Sequence, residues 1–331
     1  MTDLDCTCLD DNTIHVVSST WAPMSNYQSY FQSCRKHCKH IVLVHVSDEW
    51  FSGNYDLYRH FDLVIRWNHT YLASGVGVVT VPLGYPNDTG SSMQPATERS
   101  YAWSFIGEIK SSRIAMAAAF DDFAPKFMTA TDSLAKTQPK RLSKVEFDAV
   151  LADTVFVPSP MGNATMDTTR VYESLEFGCI PLVELRLTLD YYSNLLGPNP
   201  MPAFRNWRDA RRYAEALYQD KLALLSKQAE ISRWWQGYKA KMCADVRAAV
   251  MGPSHAAELQ RFAAKLRNRS PLVHEALRIV ELLRHQTIGS LVRRLARPRG
   301  PLKRILSDTT RGKVVEVDVL SRPRRSSTSN S

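Results

Sequence analysis

The sequence predicts an α/β protein of two domains, each built on a mostly parallel sheet. Three observations carry this expectation. Short runs rich in apolar and β-branched residues recur at 13–19 (TIHVVSS), 41–46, 63–67, 76–81, 101–106, 126–130, 154–157 and 179–183. The run 41–46 is almost wholly apolar, as strands of a parallel sheet covered on both faces are. Helical or polar stretches separate the runs, the spacing of β-α-β units. With 331 residues, 44% of them hydrophobic, the chain is long enough to bury two such cores.

In the first domain, strand 13–19 is followed by an amphipathic helix over 26–40, with Tyr27, Tyr30 and Phe31 on one side. Strand 41–46 ends in Ser47-Asp48-Glu49-Trp50. Strand 63–67 ends in Arg66, Asn68 and His69, and strand 76–81 runs into Pro82-Leu83-Gly84-Tyr85. Open α/β sheets bind ligands outside the C-terminal ends of their strands, which makes these polar residues candidates for a site. Asp48 also reads as a cap for the segment after it, and Glu49 as a partner for Arg66. His45, inside its strand, reads as a core histidine. The turn-rich stretch NDTGSSMQPAT at 87–97 marks the domain boundary.

The second domain opens with strand 101–106 and Gly107. An alanine-rich helix over 114–120, a strand at 126–130 and a helix over 143–152 capped by Ser143 follow. Next comes DTVFVPSPMGNATMDTTRVYESLEFGCIPLVE, residues 153–184, which reads as strand, polar loop, helix, strand. Asp167 or Thr168 can cap the helix, Val171, Leu175 and Phe177 give it a buried side, and Gly178 ends it. Arg170 and Glu173 lie three apart and share a face. A helix N-terminus behind a small-residue loop, carrying an arginine, suits a diphosphate. Glu173 can accept hydrogen bonds from a ribose diol. The same residues also read as an ordinary β-α-β unit with a solvated Arg–Glu pair. Beyond it, helices are expected over 207–219, 222–250, 255–267 and 272–283, with Trp234, Trp235 and Tyr238 as packing anchors. The domain map is thus 1–96, 97–250, a helical extension over 251–285, and a basic, largely disordered tail over 286–331.

The net charge of +9 is unevenly placed. Residues 261–331 hold 17 Lys and Arg against 5 Asp and Glu, so a nearly neutral body carries a basic end suited to anionic lipid or simple solvation. No apolar run reaches the length of a spanning helix, and the acidic N-terminus lacks a signal h-region; a cytoplasmic location is expected, with a membrane-peripheral one as the alternative. Six cysteines are too sparse for a disulfide scaffold, and CRKHCKH at 34–40 reads as a basic helix end, with structural zinc the lesser alternative. N-x-S/T sequons occur at Asn68, Asn87, Asn163 and Asn268. A glycan on Asn163 would block the 153–184 loop, which leans against modification there.

Residues 153–184 resemble the C-terminal signature of exostosin-like glycosyltransferases. The matching residues are Phe156, Pro158, Ser159, Gly162, Asp167, Arg170, Glu173, Gly178, Cys179, Ile180 and Pro181. Ser104-Phe105-Ile106-Gly107 with Arg113 looks like the family's Phe-x-Gly turn and its basic residue. In the first domain, Val46-Ser47-Asp48-Glu49, Val64-Ile65-Arg66-Trp67-Asn68 and Pro82-Leu83-Gly84-Tyr85 resemble pieces of the subgroup that contains the ribitol xylosyltransferases. The likeness covers roughly residues 13–245. Trp67 stands where that subgroup often has Asn directly after Arg, and the N-terminal membrane anchor common in the family is not read here.

The resemblance implies a GT-B architecture, with two Rossmann-like domains facing across a cleft and a nucleotide sugar held by the second. It implies an inverting transfer from a UDP-sugar to a hydroxyl of an oligosaccharide or glycoprotein acceptor. Xylose is favoured as the sugar, with galactose, glucuronate and N-acetylglucosamine open. Gly107, Arg113, Ser159, Gly162, Asn163, Arg170 and Glu173 are the donor-binding expectation. Arg66, Asn68 and Tyr85 are expected on the acceptor side, and Asp48, Glu49 and His69 as candidates for the general base. No cofactor or metal is expected, since arginines and a helix terminus meet the diphosphate without one, and no nucleic-acid partner. The alternatives are an inactive carbohydrate- or nucleotide-binding protein of the same fold, or a binder of nucleic acid or lipid through the basic tail.

Overall fold

The computed structural model describes residues 14–18, 28–131, 142–162, 164–186 and 189–285. Asn163, Tyr27, the 286–331 tail and its expected membrane contact lie outside them. The first sheet has order β1-β2-β3-β4, with β1 at Ile14–Ser18, β2 at Val42–Val46, β3 at Leu63–Arg66 and β4 at Val78–Thr80. All three pairings are parallel. The second has order β6-β5-β7-β8-β9, also parallel throughout. Its strands are β5 at Tyr101–Glu108, β6 at Lys126–Thr131, β7 at Thr154–Ser159, β8 at Ile180–Glu184 and the short β9 at Ala203–Phe204. The expected pair of Rossmann-like domains is the architecture observed.

Helices cover the sheets: α1 at Gln28–His37, α2 at Ser112–Phe120, α3 at Lys144–Ala152, α4 at Thr169–Glu176, α5 at Tyr191–Leu196 and α6 at Trp207–Gln219. Ser143 and Glu146 form a reciprocal capping box on α3. At α4, Thr168 occupies the cap position without a side-chain capping bond. The Asp167 carboxylate turns instead to other partners, described below.

The long helix α7, Lys221–Val250, is a single element of 30 residues. Its middle anchors the second core through Trp235, whose indole Nε1 donates to Glu176 at 2.7 Å. Its end, at Val246, Ala249 and Val250, packs on Val42, Leu63 and Ile65 of the first sheet. The chain then stays with that sheet. Helix α8, Ala256–Arg267, and α9, Pro271–His285, contribute Leu259 and Leu282 to the same core as Phe31, Leu43, Tyr58 and Val64. What reads in sequence as an extension after the second domain therefore completes the first. Cys34 and Cys38 also lie in this core, while Lys36, His37 and Lys39 of the CRKHCKH segment are exposed, as a basic, solvated helix end requires.

Beneath the C-terminal edge of the first sheet is a buried ionic network. Asp48 is 1% exposed and Arg66 is fully buried, and their side chains pair at 3.1 Å. Both oxygens of Asp48 are engaged: Oδ1 accepts from the Ser52 and Gly53 amides at 3.0 and 3.1 Å, and Oδ2 from Tyr55 Oη at 2.5 Å as well as from Arg66. His45 beside it bonds Tyr58 Oη through Nδ1 at 2.7 Å, and burial lowers its pKa to about 4, so it is a neutral core histidine.

Removing one member of a buried pair strands the other charge in a low dielectric. Asp48→Ala is expected to lower the unfolding free energy by about 3–5 kcal/mol in urea titration. A loss below about 1 kcal/mol would show that Arg66 does not depend on this carboxylate.

Candidate functional site

The C-terminal edges of the two sheets face each other and are tied by hydrogen bonds. The Thr165 hydroxyl, in the loop after β7, donates to Asn68 Oδ1 after β3 at 3.3 Å. The His69 amide donates to Tyr191 Oη at 3.3 Å, and the Leu83 amide, after β4, to Asp167 Oδ2 at 3.2 Å. Among the described residues, the non-glycine residues with positive φ, Ser47, Phe51, Asn68 and Ser111, all lie in loops that follow strands at these edges. Such strain costs on the order of 1–3 kcal/mol per residue and gathers at functional sites.

On the second sheet's edge, Arg113 and Arg170 converge. Arg113, near the start of α2, donates through Nη1 to the Glu108 carbonyl at 3.0 Å and through Nη2 to the Met161 carbonyl at 3.4 Å. Arg170, in the first turn of α4, donates to the Ile106 carbonyl at 2.9 Å and stacks over Phe105 with its guanidinium carbon 4.4 Å from the ring centroid. Its Nη1 is buried without a partner. Burial, then the charge of Arg113, lowers the Arg170 pKa to about 10, and burial lowers that of Arg113. Both remain cations at neutral pH, with Glu108 the opposing carboxylate for Arg113 and Glu173 for Arg170.

Two glycines shape the approach. Gly107 has φ +151°, and a Cβ there would sit 3.0 Å from Arg170 Nη2. At Gly162 a Cβ would sit 2.6 Å from the Asp167 carbonyl oxygen, because the loop closes on itself through the Gly162 amide and Thr165 carbonyl at 2.9 Å. Glu173 lies on the same helix as Arg170; burial raises its pKa, and Arg170 and Lys144 oppose that shift. Ser159 is turned away, its buried hydroxyl donating to the Val157 carbonyl at 3.0 Å.

Asp167 is the hinge of this edge. It accepts from Tyr172 Oη at 2.6 Å, Tyr191 Oη at 3.2 Å and the Leu83 amide, and is 3% exposed. Across from it, His69 is half-buried and its pKa is lowered chiefly by burial, partly offset by Glu281; its ring is neutral and able to take a proton at neutral pH. Glu49 is also half-buried. Asp48 is spent on the network beneath the sheet and has no lone pair left for a substrate hydroxyl. Arg66 is spent with it, although its Nη1 and the Asn68 Nδ2 have no partner. Tyr85, expected on the acceptor side, packs against the second core. Burial, then its hydrogen bond to Glu176, pushes its phenol up to about 12.

Residues absent from the sequence reading also surround the site. Arg186 lies just past β8, pairs with Glu184 at 2.8 Å and reaches the Met161 sulfur at 3.2 Å. His285, at the end of α9, is 1% exposed and accepts from the Met166 amide through Nδ1 at 3.2 Å. The strand-edge rule reaches Arg186; no local pattern reaches His285 or Tyr191. Among the described residues no group of three His, Cys, Asp or Glu side chains is placed to hold a metal, and no helix is long and apolar enough to cross a membrane.

No protein-family model and no curated protein matches this chain. Among solved structures, an alpha1,3-fucosyltransferase is similar, with 15% identity and TM-score 0.40, over 74% of this chain and 90% of the other. So is an alpha-glucosyltransferase in complex with UDP-glucose and DNA containing an abasic site, with 10% identity and TM-score 0.40, over 67% of this chain and 75% of the other. Both are likenesses of overall shape, and no family assignment follows from them.

Burial pushes the Asp167 carboxyl up from 3.8 to about 6, against the pull of its hydrogen-bond donors. Between about pH 4 and pH 6 the folded state therefore keeps a proton that the unfolded chain has lost. This group's contribution to stability is full at low pH and falls as pH rises through that window, by about 3 kcal/mol. Urea unfolding of the native protein and of Asp167→Asn is expected to show the native-minus-variant difference declining between about pH 4 and 6 and then levelling. A difference that stays constant would mean that Asp167 titrates as an ordinary carboxyl.

Proposed function

We propose that the chain is an inverting glycosyltransferase that uses a UDP-sugar and passes the sugar to a hydroxyl of a glycan. The observation that carries this is the pair of buried cations, Arg113 and Arg170, set at the N-terminal ends of α2 and α4 around a glycine-lined loop, with Arg170 Nη1 unpartnered. A diphosphate meets two guanidinium forks and the positive end of the α4 dipole there. Glu173 on the same helix serves as acceptor for the ribose diol.

In the reaction the acceptor oxygen attacks the anomeric carbon as the bond from that carbon to the diphosphate oxygen breaks. The leaving diphosphate gains charge, which Arg113 and Arg170 are already oriented to meet. The acceptor's proton goes to a base on the first domain's edge. His69 is the group we favour: it is neutral at neutral pH, and its backbone is tied through Tyr191 to Asp167 at the head of α4. Glu49 is the remaining candidate. Xylose stays the favoured sugar on the first-domain resemblance, with galactose, glucuronate and N-acetylglucosamine open.

A thermal-shift screen across UDP and UDP-sugars tests the reading, since a ligand that binds only the folded state raises its melting temperature. UDP at about 100 times its Kd is expected to add about 2.7 kcal/mol of apparent stability. Arg170→Ala is expected to abolish the shift. No shift with any nucleotide, or an undiminished one in Arg170→Ala, would overturn the assignment. His69→Gln is expected to keep the shift and lose transfer by about 100-fold or more; a smaller loss would pass the base role to Glu49.

A further inference from the structure

Helix α9 lies outside the stretch that resembles known transferases, yet it ends inside the seam between the two domains. Its last turns meet the segment just after β3. Glu281 accepts from the Tyr71 amide at 3.4 Å, and Arg284 lies over the Tyr71 ring with its guanidinium carbon 4.3 Å from the centroid. His69 meets the same ring edge to face at 5.0 Å. One residue on, His285 holds the Met166 amide of the loop that leads to Arg170.

Tyr71 itself is 53% exposed. Among the described residues, this large aromatic ring is backed by an arginine and flanked by a neutral histidine at the C-terminal edge of a parallel sheet, and half of its surface stays open. The C–H face of a sugar ring covers such a surface, and the guanidinium of Arg284, held in place by the buried Glu281, offers donors for its hydroxyls. The Arg284 side chain keeps 25% of its surface exposed while its Nη1 stays 3.4 Å from Glu281, so it is oriented without being consumed.

We propose that α9 and the β3 edge together form the acceptor subsite, with Tyr71 as the platform for a glycosyl ring, Arg284, oriented by Glu281, as its hydroxyl contact, and His69 beside the nucleophilic hydroxyl. The proposal rests on the glycosyl-transfer reading and names its acceptor as a carbohydrate bound through a ring face. It also gives α9 a part in specificity, since half of the subsite comes from a helix that follows the second domain in the chain and packs on the first.

The test uses the full chain, the UDP-sugar that raises the melting temperature most, and a panel of p-nitrophenyl glycosides (xyloside, glucoside, galactoside and glucuronide) as acceptor probes. UDP release is measured against glycoside concentration. At least one glycoside is expected to raise UDP release above the rate with water alone. Tyr71→Ala and Arg284→Gln are then expected to raise its KM about tenfold or more, with the UDP-induced melting shift unchanged, and Tyr71→Trp to restore KM. Release that no glycoside accelerates, KM values that do not move, or a UDP shift that falls together with KM would each overturn the subsite. Failure of the underlying reading is separate, because it shows as no UDP shift in the native protein.

Discussion

Two guanidinium groups held near one another at the edge of a parallel sheet set the terms for the second domain. The chain fixes Arg113 by the carbonyls of Glu108 and Met161, and Arg170 by the carbonyl of Ile106 and the ring of Phe105. Desolvation and repulsion work against this arrangement, which is why the Arg170 pKa falls to about 10. The glycines at 107 and 162 are the local condition for it: the first lets Arg170 come close, the second lets the loop close before α4. Backbone carbonyls and one ring face hold the two cations at that cost, with Glu108 and Glu173 as the opposing carboxylates.

The first domain meets this pocket through hydrogen bonds rather than through charge. Asn68, His69 and Leu83 each contact the loop or helix that carries the arginines or the tyrosines around Asp167. The buried Asp48–Arg66 pair lies one layer below and holds the strand ends in position. This separates structural from chemical acid. A carboxylate accepting four hydrogen bonds in the interior has lost its freedom to accept a substrate proton, whereas a half-buried neutral imidazole keeps it. The crossing of α7 back to the first sheet, and the packing of α8 and α9 there, bring His285 and Arg284 to the same seam.

Much of the fold was legible in the sequence because its strands are buried on both faces and read as apolar runs. The runs at 41–46, 63–67, 101–106 and 179–183 each correspond to an observed strand to within a residue or two, as does the Ser143 cap of α3. The short β9 and α5 escaped because two or six residues carry no period. Within the candidate site, Arg170 stood out from its spacing to Glu173 behind a small-residue loop, whereas Arg113 and Gly107 entered only through the family resemblance. Where Asp48, Ser159 and Tyr85 point was not readable, because their partners Arg66 and Glu176 are distant in sequence and the Ser159 bond to Val157 depends on a rotamer. His285 and Tyr191 were invisible for the same reason: their roles exist only once α9 and α5 reach the seam.

The central claim is that Arg113 and Arg170 receive a diphosphate. A crystal structure of the protein soaked in UDP tests it most directly. The account predicts density for the diphosphate within hydrogen-bond distance of both guanidinium groups and beside the 161–168 loop, with the ribose toward Glu173. UDP bound elsewhere, or no density between these arginines at saturating nucleotide, would contradict it.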